Sequence, residues 1–323
     1  MREKLTFHFE GGLADEHQMN FYEVARFQYA ASRLLVKLAQ FRQVGRFPKN
    51  ISNKSNVDIF VKPFTEGSFN IDVDDPGQPK EDQFVDLSLG DLVAYISERV
   101  IEKIDEEAMG RSLSRLPAAR ADVSDVTADA VDTAAHELAS GNAEIGDFPA
   151  DLQPLLRRRV AEINRDERLL EREGSIKKID AAREQKLIAM AAPLMSEMAV
   201  ALRRSAETLE VTSTSDRGVN KVLFLDERMA SDIETARVDT EITAILCDVV
   251  QFNKDNGWGK VKIENGSKVV SFSIPYDLLP SIKQRLIDTM KKDQVYLQTY
   301  FVRDRGGDVV RLIVAGILNT PTM

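Results

Sequence analysis

Lys254, Trp258, Lys260 and Lys262 fall within one short stretch, and Trp258 is the chain's single tryptophan. An indole beside ammonium groups is a minimal apparatus for single-stranded nucleic acid. The ring stacks on a base for about 1–3 kcal/mol while the cations meet phosphates. Tyr300, Arg303, Arg305 and Arg311 form a second aromatic and basic group nearer the C-terminus. The same residues admit a plainer role, in which Trp258 covers one end of a small barrel and the lysines keep an exposed edge in water. A protein-binding face is the third reading, since small barrels host many unrelated functions.

Catalytic templates are missing. The sequence holds no GxxxxGK[ST], no GxGxxG after a strand, no GxSxG and no HExxH, so phosphate cradle, nucleophile elbow and zinc helix are all absent. His8, His17 and His136 are scattered, and acid–base work by the first two would require them to converge across Gly11-Gly12. Asp72, Asp74 and Asp75 offer carboxylates for a metal, though a hairpin end followed by a polar loop explains them equally well. With Cys247 as the lone cysteine, an internal disulfide and a multi-thiolate metal site are excluded. We therefore expect no metal and no cofactor, and the balance is against an enzyme.

Charge is unevenly placed. Residues 1–79 carry 10 basic and 10 acidic side chains, residues 240–323 carry 11 and 9, and residues 80–239 carry 22 and 33. The acidic middle argues against a protein that coats nucleic acid along its whole length but leaves room for a local basic patch. No apolar run is long enough to span a bilayer, and the stretch MREKLTFHFEGG lacks an apolar signal core, so a cytoplasmic location and no membrane insertion are expected.

The elements that must position these residues follow from periodicity. A chain of 323 residues allows two or three domains. Leu5, Phe7 and Phe9 alternate with polar residues as in a half-buried strand. Apolar residues at helical spacing from about Glu16 to Val44 predict a long helix stopped at Gly45. Val57–Val61 and Phe69–Val73 predict two strands joined through residues 63–67, completing a β-α-β-β domain over residues 1–79.

Residues 80–239 read as an acidic helical region. Helices are expected at about 88–110, 150–173 and 180–209, the last kinked or divided at Pro193, with a mobile segment at 111–150 and a surface loop at 212–218. Over residues 240–323 five strands are expected, with one helix after the third and glycine turns at Asn256-Gly257, Asn265-Gly266 and Gly306-Gly307. That order is a five-stranded OB-like β-barrel, so the fold class is α+β. On the long helix, Phe21, Tyr22, Phe27 and Tyr29 put aromatics on more than one side, which suggests self-association.

Residues 250–261, VQFNKDNGWGKV, resemble the first hairpin of cold-shock domains, in which hairpin aromatics stack on single-stranded bases. Gln251 and Lys260 stand where that family carries aromatics, leaving Trp258. Asn20–Phe27 (NFYEVARF) and Val61–Phe69 (VKPFTEGSF), taken with the barrel, resemble a family of uncharacterised bacterial proteins encoded on mobile elements. That resemblance implies a bacterial cytoplasmic protein in a setting of phage or plasmid conflict. The expected function is a non-enzymatic, oligomerising binding protein, a sensor or adaptor in anti-phage defence that meets copies of itself and a co-encoded effector protein. Two alternatives stand beside it: an OB-type single-stranded nucleic-acid binder, and an enzyme with an unrecognised site.

Overall fold

The computed structural model describes residues 3–61, 69–75, 83–101, 109, 112–113, 127–216, 218–234, 237–263, 269–290, 294–303 and 307–318. The loop at 63–67, Arg305, Gly266, Gly306 and residues 111 and 114–126 of the segment read as mobile lie outside these residues.

Strand β1 (Glu3–Glu10) leads into α1 (Phe21–Val44), β2 (Phe60–Val61) and β3 (Asn70–Asp75). Helix α1 begins where the Asn20 side chain accepts from the N–H groups of Tyr22 and Glu23, and it stops at Gly45 in the left-handed region. Its inner stripe carries Phe27, which meets Phe7 edge-on at 5.3 Å and Phe9 at 4.8 Å. Such pairs contribute about 0.5–1.5 kcal/mol beyond area burial. Phe27, 1% exposed, is thus a core residue, and its expected place at an oligomer interface is corrected: it lies two residues, about 200° of helical rotation, from exposed Tyr29.

Helices α2 (Leu89–Val100), α3 (Ala128–Ala139), α4 (Gln153–Glu171), the short α5 (Glu173–Ile176) and α6 (Ala181–Met198) follow. Pro193 lies inside α6, which runs on to Met198 before tightening into a 3-10 turn over Ala199–Arg203. Next comes a hairpin of β4 (Thr208–Ser215) and β5 (Gly218–Asp226), where the sequence suggested the end of a helix and a surface loop. Strand β4 pairs antiparallel with β1 over Lys4–Glu10, giving a five-stranded sheet in the order β2-β3-β1-β4-β5. The first sheet is therefore assembled from segments on both sides of the helices.

After α7 (Glu227–Glu234) and β6 (Arg237–Val238) come β7 (Thr243–Phe252), β8 (Trp258–Ile263), β9 (Val269–Ser273), α8 (Leu279–Thr289), β10 (Val295–Arg303) and β11 (Val309–Leu318). The strands run β11-β9-β8-β7-β10, β9 and β11 are parallel, and β10 pairs with β11 to close the barrel. This is the five-stranded OB-like barrel expected from the strand order. Asn256-Gly257 belongs to a loop over residues 253–257 rather than a two-residue turn, with the Asn253 side chain accepting from the N–H groups of Asp255 and Asn256. Val249, Val261, Phe272, Leu286, Leu297 and Leu312 belong to a core of the barrel's own. Among the described residues, no helix is long and apolar enough to cross a membrane.

Candidate functional site at the barrel junction

Alternation along β8 places Trp258, Lys260 and Lys262 on the outer side of the barrel, with Val261 pointing inward. Register carries that outer face sideways. Trp258 stands opposite Ser273, Ser273 opposite Ile313, and Ile313 opposite Tyr300; in the adjoining row, Lys260 stands opposite Ser271, Ser271 opposite Arg311, and Arg311 opposite Val302. The two groups singled out in the sequence thus meet on one face through the parallel β9–β11 pairing. Arg303 points elsewhere: it pairs with Asp239 at 3.0 Å and donates to the Gly307 carbonyl. Lys254 is exposed in the loop before β8.

Around Trp258 this face is covered, while Lys260 is half-buried and Lys262 exposed. Tyr276, Tyr300, Val302 and Ile313 are packed into the core of the helical body rather than that of the barrel. Trp258 is only 7% exposed, its Nε1–H donates to Glu98 Oε1 at 3.2 Å, and the Arg311 guanidinium lies 5.1 Å from the centre of its ring. The Trp258 ring is part of the junction and offers no stacking platform at the surface. Arg311 Nη1 also donates to the Arg99 carbonyl. Both acceptors come from the last turn of α2, where unpaired carbonyls make the helix end electronegative.

On the body side, Arg99 is fully buried, with its guanidinium between Tyr95 and Tyr276, 5.5 and 5.0 Å from the two ring centres. Its Nε stands 3.6 Å from Glu184 Oε1 on α6, close enough for an ion pair but too long for a hydrogen bond. Tyr95 donates to the other oxygen of Glu184 at 2.6 Å. Among the described residues, no hydrogen-bond partner meets Arg99 Nε, Nη1 and Nη2, while Ser273 lies close enough to Glu184 to help hold its carboxylate. Burial raises the Glu184 carboxyl pKa, with Arg99 and Tyr95 opposing. For Arg99, burial works against the charge, but Glu184 and Glu98 outweigh it and hold the pKa above its ordinary value. Tyr276 is pushed upward by burial and then by Glu98. Burial, followed by the charge of Glu184, lifts Asp277 from 3.8 to about 6. Arg99, Glu184, Tyr95 and Tyr276 are sealed among packed side chains, and Asp277 lies at the partly exposed edge of the cluster.

Other candidates are engaged locally. Asp72 takes hydrogen bonds from Thr6 at 2.6 Å and Lys4 at 3.3 Å, while Asp75 and Arg42 form a buried two-point pair. His8 contacts Asn70 across the strand pair, and His136 bonds the Asp132 carbonyl one turn earlier on α3. Burial pushes the Cys247 thiol up to about 12, which leaves it unreactive at neutral pH. Among the described residues, no group of three or more His, Cys, Asp or Glu is arranged to hold a metal ion.

The outer face of α1 is the other notable surface. Phe21, Tyr22 and Tyr29 are 88%, 65% and 62% exposed. Arg26 lies over the Tyr22 ring, Arg33 lies over Tyr29, and Arg26 is also paired with Glu197 of α6.

Sequence reasoning missed Glu98, Arg99 and Glu184. A signal was present: Arg99 continues the apolar stripe Leu92-Tyr95-Ile96, and Glu184 shares a stripe with Leu187, Ile188 and Ala191. A charge on an apolar stripe must find a partner inside the protein. No protein-family model, no curated protein and no solved structure matches the chain.

Proposed function

We propose that this protein is a non-enzymatic binding protein that associates with copies of itself through the outer face of α1 and uses its OB-like barrel as a recognition module. The observation that carries the self-association is the row of Phe21, Tyr22 and Tyr29, aromatic side chains left largely in water on a helix whose opposite face lies in the core. Exposed aromatic surface of this kind marks contact sites more often than ordinary solvent-facing surface. The non-enzymatic reading is supported by the sealing of the Arg99–Glu184 cluster, which a substrate would have to reach.

The finer role, a sensor or adaptor of bacterial anti-phage defence acting with a co-encoded effector protein, rests on the motifs of α1 and the hairpin that follows it. Light scattering at increasing concentration tests the self-association. The native chain is expected above monomer mass, and Phe21→Ser with Tyr29→Ser at monomer mass with an unchanged melting curve. A native chain that stays monomeric at high concentration would refute this reading.

A further inference from the structure

We propose that the last turn of α2 is a built-in competitor on the ligand face of the barrel, and that the ligand it displaces is single-stranded nucleic acid. The inference rests on the barrel being a recognition module. In OB-type barrels, the face of the second and third strands, with the loops beside it, is where extended polymers lie. Here those strands are β8 and β9, whose outer residues Trp258, Lys260, Lys262, Ser271 and Ser273 continue onto Arg311 and Tyr300. Aromatic rings flanked by cations and hydroxyls on one sheet face are the chemistry that holds bases and phosphates.

The groups covering that face are acceptors. Glu98 Oε1 takes the indole N–H of Trp258, and the Arg99 carbonyl takes a guanidinium N–H of Arg311. A base edge and a phosphate oxygen would ask for the same two donors. Charge agrees with this arrangement: residues 80–239 hold 33 acidic against 22 basic side chains, while residues 240–323 hold 11 basic against 9 acidic.

The barrel has a core of its own. The contact with the body is mixed: Tyr276, Tyr300, Val302 and Ile313 pack into the core of the body beside the charged Arg99 and Glu184. Opening therefore costs apolar burial, and the open form is the minor one. A docked α2 reduces the apparent affinity of the face by the fraction of molecules that are open, so weakening the latch raises affinity without adding a contact.

The test uses the full chain with fluorescein-labelled oligo(dT) and oligo(rU) of about 15 nucleotides, near the upper end of the site size for one such barrel. Anisotropy is read at low and high salt, with amide hydrogen exchange of α2 and β8–β9 followed in parallel. Glu98→Ala is expected to bind about tenfold more tightly than the native chain and to speed exchange at β8–β9. Adding Trp258→Ala or Arg311→Ala is expected to abolish the gain. If Glu98→Ala loses its cooperative melt, Glu98→Gln carries the test, with a smaller gain in the same direction. Affinity unchanged from the native chain in the folded Glu98 variant, with or without faster exchange, overturns the proposal. Light scattering on the same samples separates the two readings: self-association that survives without oligonucleotide binding removes only this inference.

Discussion

Helix α2 ends in a buried ionic cluster on each side, and the two are built differently. At its N-terminus, the Glu3 carboxylate accepts from Ser88 Oγ, the Gly90 N–H, Arg168 Nη2 and Ser213 Oγ. Asp91 completes a capping box with Ser88 and takes Arg168 Nε at 2.6 Å. At its C-terminus, Arg99 has three nitrogens without hydrogen-bond partners and meets Glu184 only at 3.6 Å. Both clusters suit the helix dipole, with carboxylates at the start of α2 and cations at its end. They differ in degree: among the described residues the first makes several short hydrogen bonds and leaves Arg172 Nε, 3.4 Å from Asp91, without one, while the second leaves all three Arg99 nitrogens so. A well-bonded network specifies one arrangement of the elements it joins. The first cluster ties β1, α2, α4 and β4 into one body; the second lies where that body meets the barrel.

Three variants follow, beginning with the largest effect. Glu3→Ala removes the buried acceptor shared by Arg168, two hydroxyls and a backbone N–H, and urea denaturation is expected to show a loss of about 3–5 kcal/mol. At the other end, Arg99→Met, Glu184→Leu and Tyr95→Phe together remove both charges and the hydroxyl that bonds to Glu184 while nearly keeping the volume. Melting should then change by about 1 kcal/mol or less, or shift upward, because a poorly bonded buried pair contributes little net stability. A loss as large as that of Glu3→Ala would erase the distinction between the clusters.

Asp277→Asn has the smallest expected effect and depends on pH. The folded-state pKa of about 6 lies above the ordinary 3.8, so the folded protein holds this proton more tightly than the unfolded chain. The cost of the carboxylate is absent below about pH 4, grows up to about pH 6 and is fully present above that. Asparagine removes it, so melting should rise by about 2 °C at pH 7.5 and not at all near pH 4, the side chain's partial exposure keeping the gain small. A gain of equal size at both values would trace the effect to packing instead of charge.

The barrel was legible in the sequence because its signals are local: alternating strands, a helix after the third, and glycines in the connections. Strand β4 was not, and the reason lies in the first cluster. Its inward positions are Leu209, Val211 and Ser213, and the serine that breaks the apolar alternation is the one whose hydroxyl meets Glu3. A residue chosen to satisfy a buried carboxylate made a strand look like a loop. Trp258 and Lys260 were picked out by residue type, but their neighbours Ser273, Ile313 and Arg311 come from pairings distant in sequence. Which groups cover Trp258 is a property of tertiary packing. Phe27 was misplaced because helical spacing identifies a stripe of apolar residues but does not say which aromatic faces the core.

The hydrogen bond from Ser213 to Glu3 joins residues 210 positions apart, and Lys4–Glu10 of β1 pair with β4 across a similar separation. On the ribosome, β1 emerges well before β4, and one of its edges stays without a partner until β4 has left the tunnel. At about 5–20 residues per second, that interval is roughly 10–40 s. Throughout it the nascent chain presents an unpaired strand carrying Leu5, Phe7 and Phe9, a template for pairing with other chains. The body thus closes only once β4 is out, with the barrel's local hairpins following behind it. Shielding of the nascent chain by chaperones should therefore matter most before β4 has left the tunnel.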